Sequence, residues 1–249
     1  GQIKPAGRAF RFLQERILPL GRPVERSLTR SARIMTYGTG QAVVAWGADL
    51  PVRISGEDVQ AFDATGSPLP VPDRLQDAPV ILLGTGIAVE ITGPPVADSL
   101  FSFDQPPFSY FALRPGTGLT PLEQRDWDWA TFRGAPDLSP LSITASWITT
   151  ARFAEGPFAA VERFTAVDPG RYRIDAWWES ADAKEPVEVT ILHGGATVLQ
   201  GTTVAGRFAA GAVEVTLNGG DTLDFQVSPL GPGGDGATRR RIRIEGPLP

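Results

Sequence analysis

Hydrophobic and polar positions alternate with a period of two along most of this chain and follow a helical period only once. In 171–178, Tyr172, Ile174 and Ala176 alternate with Arg171, Arg173 and Asp175; in 241–245, Ile242 and Ile244 alternate with Arg241, Arg243 and Glu245. Such alternation belongs to antiparallel strands with one face in a core and the other in water. It predicts strands over 143–149, 159–164, 171–178, 186–192, 197–200, 212–217, 222–227 and 239–245. On the strand 171–178, Trp177 faces away from Ile174 and Ala176, so Trp178 is the expected core ring. Shorter strands are predicted upstream at 34–37, 42–46, 51–54, 59–62, 80–83 and 87–91, with turns at 38–40, 64–66 and 84–86. The helical exception is 5–18. There Phe10, Leu13 and Ile17 recur at i, i+3 and i+7, Pro5 suits the first turn, and Pro19 and Gly21 stop the helix. This amphipathic helix lies either on a sandwich or against a preceding domain.

These elements predict an all-β chain: two β-sandwich or jelly-roll domains preceded by one amphipathic helix. Residues 1–30 form the helix and a linker, and 31–93 a small β-sandwich. A proline-rich linker follows at 94–108, and 109–249 form a jelly-roll sandwich of about eight short strands. Composition agrees. Glycine and proline, 28 and 23 of 249 residues, occur at roughly twice their usual share, as many turns require.

Chemistry narrows next. With no cysteine and one histidine, His193, thiolate nucleophiles, disulfides and multi-histidine metal sites are excluded. No apolar run reaches the length of a membrane-spanning helix. Gly1, with no basic-then-apolar leader, reads as the cut end of an exported protein or of an excised domain. The net charge of −5 argues against a nucleic-acid partner. Residues 1–33 nevertheless carry eight Arg/Lys against two Glu, a surplus of six that leaves −11 on the remainder. This basic segment suits an acidic polysaccharide or an acidic face of its own protein.

Aromatic residues give the best binding lead. Phe103, Phe108, Tyr110, Phe111, Trp127, Trp129 and Phe132 crowd one irregular stretch. Flat rings stack on sugar faces at little entropic cost, so Trp127, Trp129, Trp177 and Tyr110 are the candidate carbohydrate-binding residues. The alternative is that these rings fill a seam. Carboxylates close in sequence, Glu57/Asp58, Glu123/Asp126/Asp128 and Glu179/Asp182, are weak candidates for an acid/base pair, and no G-x-S-x-G elbow accompanies His193. Arg239, Arg240, Arg241 and Arg243 form a charged strand, expected at a sheet edge where charge opposes aggregation, with an acidic glycan as another use.

Two stretches resemble known families. Lys4 to Gly84 runs from PAGRAFRFLQE through IMTYGTGQAVVAWG and Phe62-Asp63-Ala64-Thr65-Gly66-Ser67-Pro68-Leu69 to Ala78-Pro79-Val80-Ile81. It resembles the C-terminal part of bacterial (β/α)8-barrel glycoside hydrolases of clan A, especially xylosidase-like and exopolysaccharide-active ones, with Ile81 where a tyrosine is usual. In those enzymes the last barrel helix leads into a small β-sandwich, and the two catalytic glutamates precede that helix. The resemblance therefore implies that neither glutamate is in this chain. The second stretch is Phe164 to Ile174, with Gly219 to Val227, Gly233-Gly234-Asp235-Gly236 and Arg241 to Ile244. It resembles jelly-roll modules of secreted polysaccharide-active enzymes, with Val167 where a proline is common. Such modules often hold one structural Ca2+, which makes Glu162, Asp168, Asp221, Asp224 and Asp235 the acids to inspect.

The leading expectation is a non-catalytic accessory region of a larger secreted or periplasmic polysaccharide-active hydrolase. Its partners would be a polysaccharide and an N-terminal catalytic barrel. The alternatives are one piece of a complete hydrolase, or a structural or adhesion module of a bacterial surface without sugar binding.

Overall fold

A computed structural model describes residues 4–25, 31–128, 130–231, 233 and 236–249. The chain is all-β with one α-helix among the described residues, Pro5–Arg16. It divides into two units, Gly1–Val96 and Ala97–Pro249. Among the described residues no helix is long and apolar enough to cross a membrane.

The first unit is a seven-stranded sheet in the order Val24–Glu25, Ala32–Tyr37, Ala42–Gly47, Val80–Ile91, Leu50–Phe62, Pro68–Leu69, with Arg74–Leu75 also paired to Leu50–Phe62. Both faces are filled. Ile34, Val43, Leu50, Val52 and Leu82 form one core, while Ala42 and Ile81 meet Phe12, Ile17, Phe62 and Leu83 on the other side. The helix therefore lies against the sheet, with the rings of Phe12 and Phe62 5.3 Å apart. Of the expected stripe, only Ile17 turns in; Phe10 is 62% and Leu13 36% exposed. Phe12 sets the orientation, because its ring sits on Phe62 and over Gly66, where a Cβ would stand 2.6 Å from it.

Two pairs of expected strands prove to be single long ones. Residues 51–54 and 59–62 both belong to Leu50–Phe62, and 80–83 and 87–91 to Val80–Ile91. The intervening glycines are bulges rather than hairpin turns. Register shifts between Ser55 and Glu57 and between Glu57 and Gln60. A Cβ on Gly84 would stand 2.7 Å from the Glu57 carbonyl oxygen. Glycine inside a strand marks this kind of close backbone approach.

The second unit is a sandwich. One sheet runs Gly118–Pro121, Phe108–Arg114, Gly156–Thr165, Thr222–Pro229, Val187–His193, Ala196–Thr202. The other runs Glu123–Trp127, Ala130–Gly134, Ser142–Ile143, Trp147–Thr149, Ala237–Leu248, Gly170–Ser180, Arg207–Ala209. Phe164, Val189 and Phe225 from the first meet Ile148, Tyr172, Ile174, Trp178 and Ile242 from the second in one core. Trp178 is completely buried, as its parity predicts, and each such side chain contributes roughly 1.5–3 kcal/mol by leaving water. Residues 97–107 of the proline-rich stretch pack into this unit: Asp98, Ser99 and Ser102 are buried, and the Ser99 N–H donates to the Ile242 carbonyl at 2.8 Å.

Two expectations are corrected. The arginine-bearing strand lies inside its sheet, between Trp147–Thr149 and Gly170–Ser180, and is not an edge. Residues 143–149 form the ends of two short strands joined by a turn. In that turn the Thr144 hydroxyl accepts the N–H of Trp147 at 3.0 Å, a side-chain-to-backbone bond that competes with strand continuation.

Candidate functional site

Residues directly opposite on antiparallel strands share a face. On the outward face of the second sheet, Trp147 opposes Arg239, Arg239 opposes Glu179, and Glu179 opposes Arg207, a row across four strands. Trp177 neighbours Glu179 on the same face, opposite Arg241. The Arg239 guanidinium lies 5.2 Å from the Trp147 ring centre and that of Arg207 4.1 Å from Trp177.

Beside this row opens a groove of about 710 Å³. Trp127 and Trp147 line it, Phe103 and Ala145 add apolar surface, and Thr131, Ser142, Thr144, Ser146 and Thr149 add hydroxyls. Trp127 is 39% exposed and stacks on Phe132, ring centres 4.0 Å apart and planes 18° apart. An adjoining cleft of about 490 Å³ shares Trp127, Ser142 and Thr149 and adds Arg125 and Phe132. No carboxylate lines either space among the described residues.

The lip of the groove is held from inside. Arg240 points into the sandwich and forms a bidentate pair with Glu162, Nε–Oε2 2.7 Å and Nη2–Oε1 2.5 Å, with both side chains fully buried. Its Nη1 donates to the Ala145 carbonyl and its backbone N–H to that of Ser146 at 3.0 Å. Both carbonyls belong to the turn that presents Trp147.

The predicted site residues separate. Trp127 is in the groove, and Trp177 is half-buried on the same outward sheet face. Tyr110 is a correction: only 5% exposed, it has no ring face free for a sugar. Its hydroxyl accepts the Asp104 N–H at 3.1 Å and its ring lies 5.2 Å from that of Phe103, so it supports the groove from behind. Burial raises its pKa far above the ordinary tyrosine value, as does the nearby Glu162 charge. Trp129 lies outside the described residues. Trp147 was missed because its strand reads as continuous; the Thr144-Ala145-Ser146 run was the turn signal.

The acids expected for Ca2+ have the following surroundings. Glu162 is neutralised by Arg240, and Asp224 holds Arg163 at 2.6 and 2.8 Å. Asp168 is exposed, its backbone carbonyl accepting the Tyr172 hydroxyl at 2.6 Å. Asp221 caps a turn, accepting the backbone N–H of Asn218 at 2.8 Å. That bond, then the Asn218 side chain and His193, hold its carboxyl below the usual aspartate range. Among the described residues no group of three or more His, Asp or Glu side chains gathers as ligands would. Asp235 lies outside them. His193 ends its strand, its Nε2 3.4 Å from Asp221 Oδ2. Asp126 and Asp182 are engaged locally, by the Thr131 hydroxyl and the Lys184 N–H.

No protein-family model matches the chain, and no curated protein matches it. Solved structures do. An uncharacterized protein of Listeria monocytogenes in complex with glucose, magnesium and calcium is 13% identical at a TM-score of 0.31, over 86% of this chain and 20% of that one. Isomalto-dextranase of Arthrobacter globiformis T6, complexed with panose, is 12% identical at 0.28, over 86% of this chain and 36% of that one. The family 35 carbohydrate binding module of Clostridium thermocellum is 11% identical at 0.31, over 61% and 98%. This chain thus spans about a fifth of the first and about a third of the second. Likeness at this level does not extend to ligands or activity.

Proposed function

We propose that this chain is a non-catalytic glycan-binding module that holds a polysaccharide in the groove between Trp127 and Trp147. The observation that carries the reading is the lining itself: two tryptophan rings beside five hydroxyl-bearing residues. Sugars present apolar C–H faces to rings and hydroxyl edges to hydroxyls, so this mixture suits them. Glycoside cleavage in most families needs two carboxyl groups flanking the bond. A lining without carboxylates among the described residues favours holding over cutting. On the resemblance of its first 84 residues, we read the chain as the accessory region of a larger exported polysaccharide-processing enzyme, partnered by a catalytic barrel.

Affinity electrophoresis against plant and bacterial polysaccharides, with reducing-end release assayed in parallel, tests this. Retention without release is the expected outcome. Trp127→Ala and Trp147→Ala should each weaken retention roughly fivefold, the equivalent of about 1 kcal/mol of ring stacking. Release that disappears on changing a carboxylate would make the protein a hydrolase in its own right.

A further inference from the structure

The arginines of the second unit sort into two groups. Arg114, Arg133, Arg163, Arg171, Arg173, Arg240, Arg241 and Arg243 each pair with a carboxylate, and Arg152 donates to two backbone carbonyls. Arg125, Arg207 and Arg239 have no such acceptor among the described residues, and all three are exposed. They are not scattered. Arg239 lies on Trp147 and Arg207 on Trp177, while Arg125 lines the cleft that shares Trp127 with the groove. The free guanidinium groups of this unit therefore coincide with its aromatic face, on a chain whose overall charge is −5.

We infer that the bound glycan is acidic, carrying carboxylates along its chain. It would lie from the groove across Trp147 toward Trp177, with its carboxylates on Arg239 and Arg207. Those two residues are two strands apart, about 10 Å at normal strand spacing, roughly the length of a disaccharide. A guanidinium fork matches a carboxylate in a way a neutral hydroxyl does not, and the ring beneath each one steadies its fork by a cation–π contact. Glu179, exposed and between them in register, makes no ion pair with either arginine. It leaves both forks open while opposing an incoming anion.

This inference rests on the glycan-binding reading, and the test separates the two. Retention is measured on polygalacturonate, alginate and hyaluronan, each beside its carboxyl-reduced counterpart, and on neutral glucans and xylans. At least one uronate polymer should retain the protein more strongly than its reduced form. That retention should fade at about 0.5 M salt, where charges are screened beyond about 4 Å. Arg239→Gln and Arg207→Gln should each weaken it roughly three- to fivefold, and Glu179→Gln should strengthen it. An unchanged melting temperature shows that these surface variants are folded. Retention on neutral or reduced polymers alone, or on uronates with no response to the three variants, overturns the inference and keeps the binding reading. Retention on no polymer overturns both.

Discussion

Arg239 and Arg240 are neighbours with opposite tasks. Period two sends Arg239 outward onto Trp147 and Arg240 inward to Glu162. The parity was legible in the sequence, since Arg240 shares it with Ile242 and Ile244. What was not legible was the partner, because Glu162 is 78 positions away. A buried pair of this kind is costly to break from one side, since the surviving charge has no compensation. Glu162→Gln is expected to lower stability by about 3–5 kcal/mol, measured by urea denaturation. In the double variant Glu162→Leu/Arg240→Met the loss should be far smaller than the sum of the single losses, and a double-mutant cycle would show it. Additive losses would mean that the two side chains act independently. Tyr110 teaches the same lesson: its aromatic character was readable, but its inward direction followed from the strand Phe108–Arg114.

At the scale of elements, alternation located most strands of the second unit and the inward ring of Trp178. It failed where the backbone departs from regularity. Gly84 and Gly86 look like a hairpin turn in sequence, yet with Gly56 they lie inside two long strands, whereas the turns expected at 38–40 and 64–66 are present. Composition cannot distinguish a bulge from a turn, because both need backbone freedom. The difference lies in which chain passes overhead. Gly84→Ala tests this: the new Cβ would collide with the Glu57 carbonyl, and overpacking of this sort costs about 1–3 kcal/mol. A stability equal to that of the parent protein would mean that the two strands separate easily at this point. The helix was likewise correct in place and wrong in face. Its apolar stripe names the residues that can be buried, whereas the position of Phe62 decides which of them are.

At the scale of the whole molecule, the cores are separate. The large cluster draws only on residues from Ala97 onward, and the clusters of the first unit end at Val96. The groove, the aromatic row and the three free arginines all lie in the second unit. A chain of residues 97–249 is therefore expected to melt in one cooperative transition and to be retained by the same polysaccharides as the full chain. Loss of retention in a folded fragment would assign part of the binding surface to residues before Ala97.

The strand Ala237–Leu248 lies in the middle of its sheet, and its Ile242 bonds to Ser99 across 143 positions. Pairings between such distant segments close slowly. During synthesis at about 5–20 residues per second, the strands from Phe108 onward wait on the order of ten seconds for this central member. Until it emerges, Trp178 and Glu162 have no cover from that side, and the half-built sheet offers its open edges to other nascent chains. The sandwich is thus a structure whose keystone is delivered late.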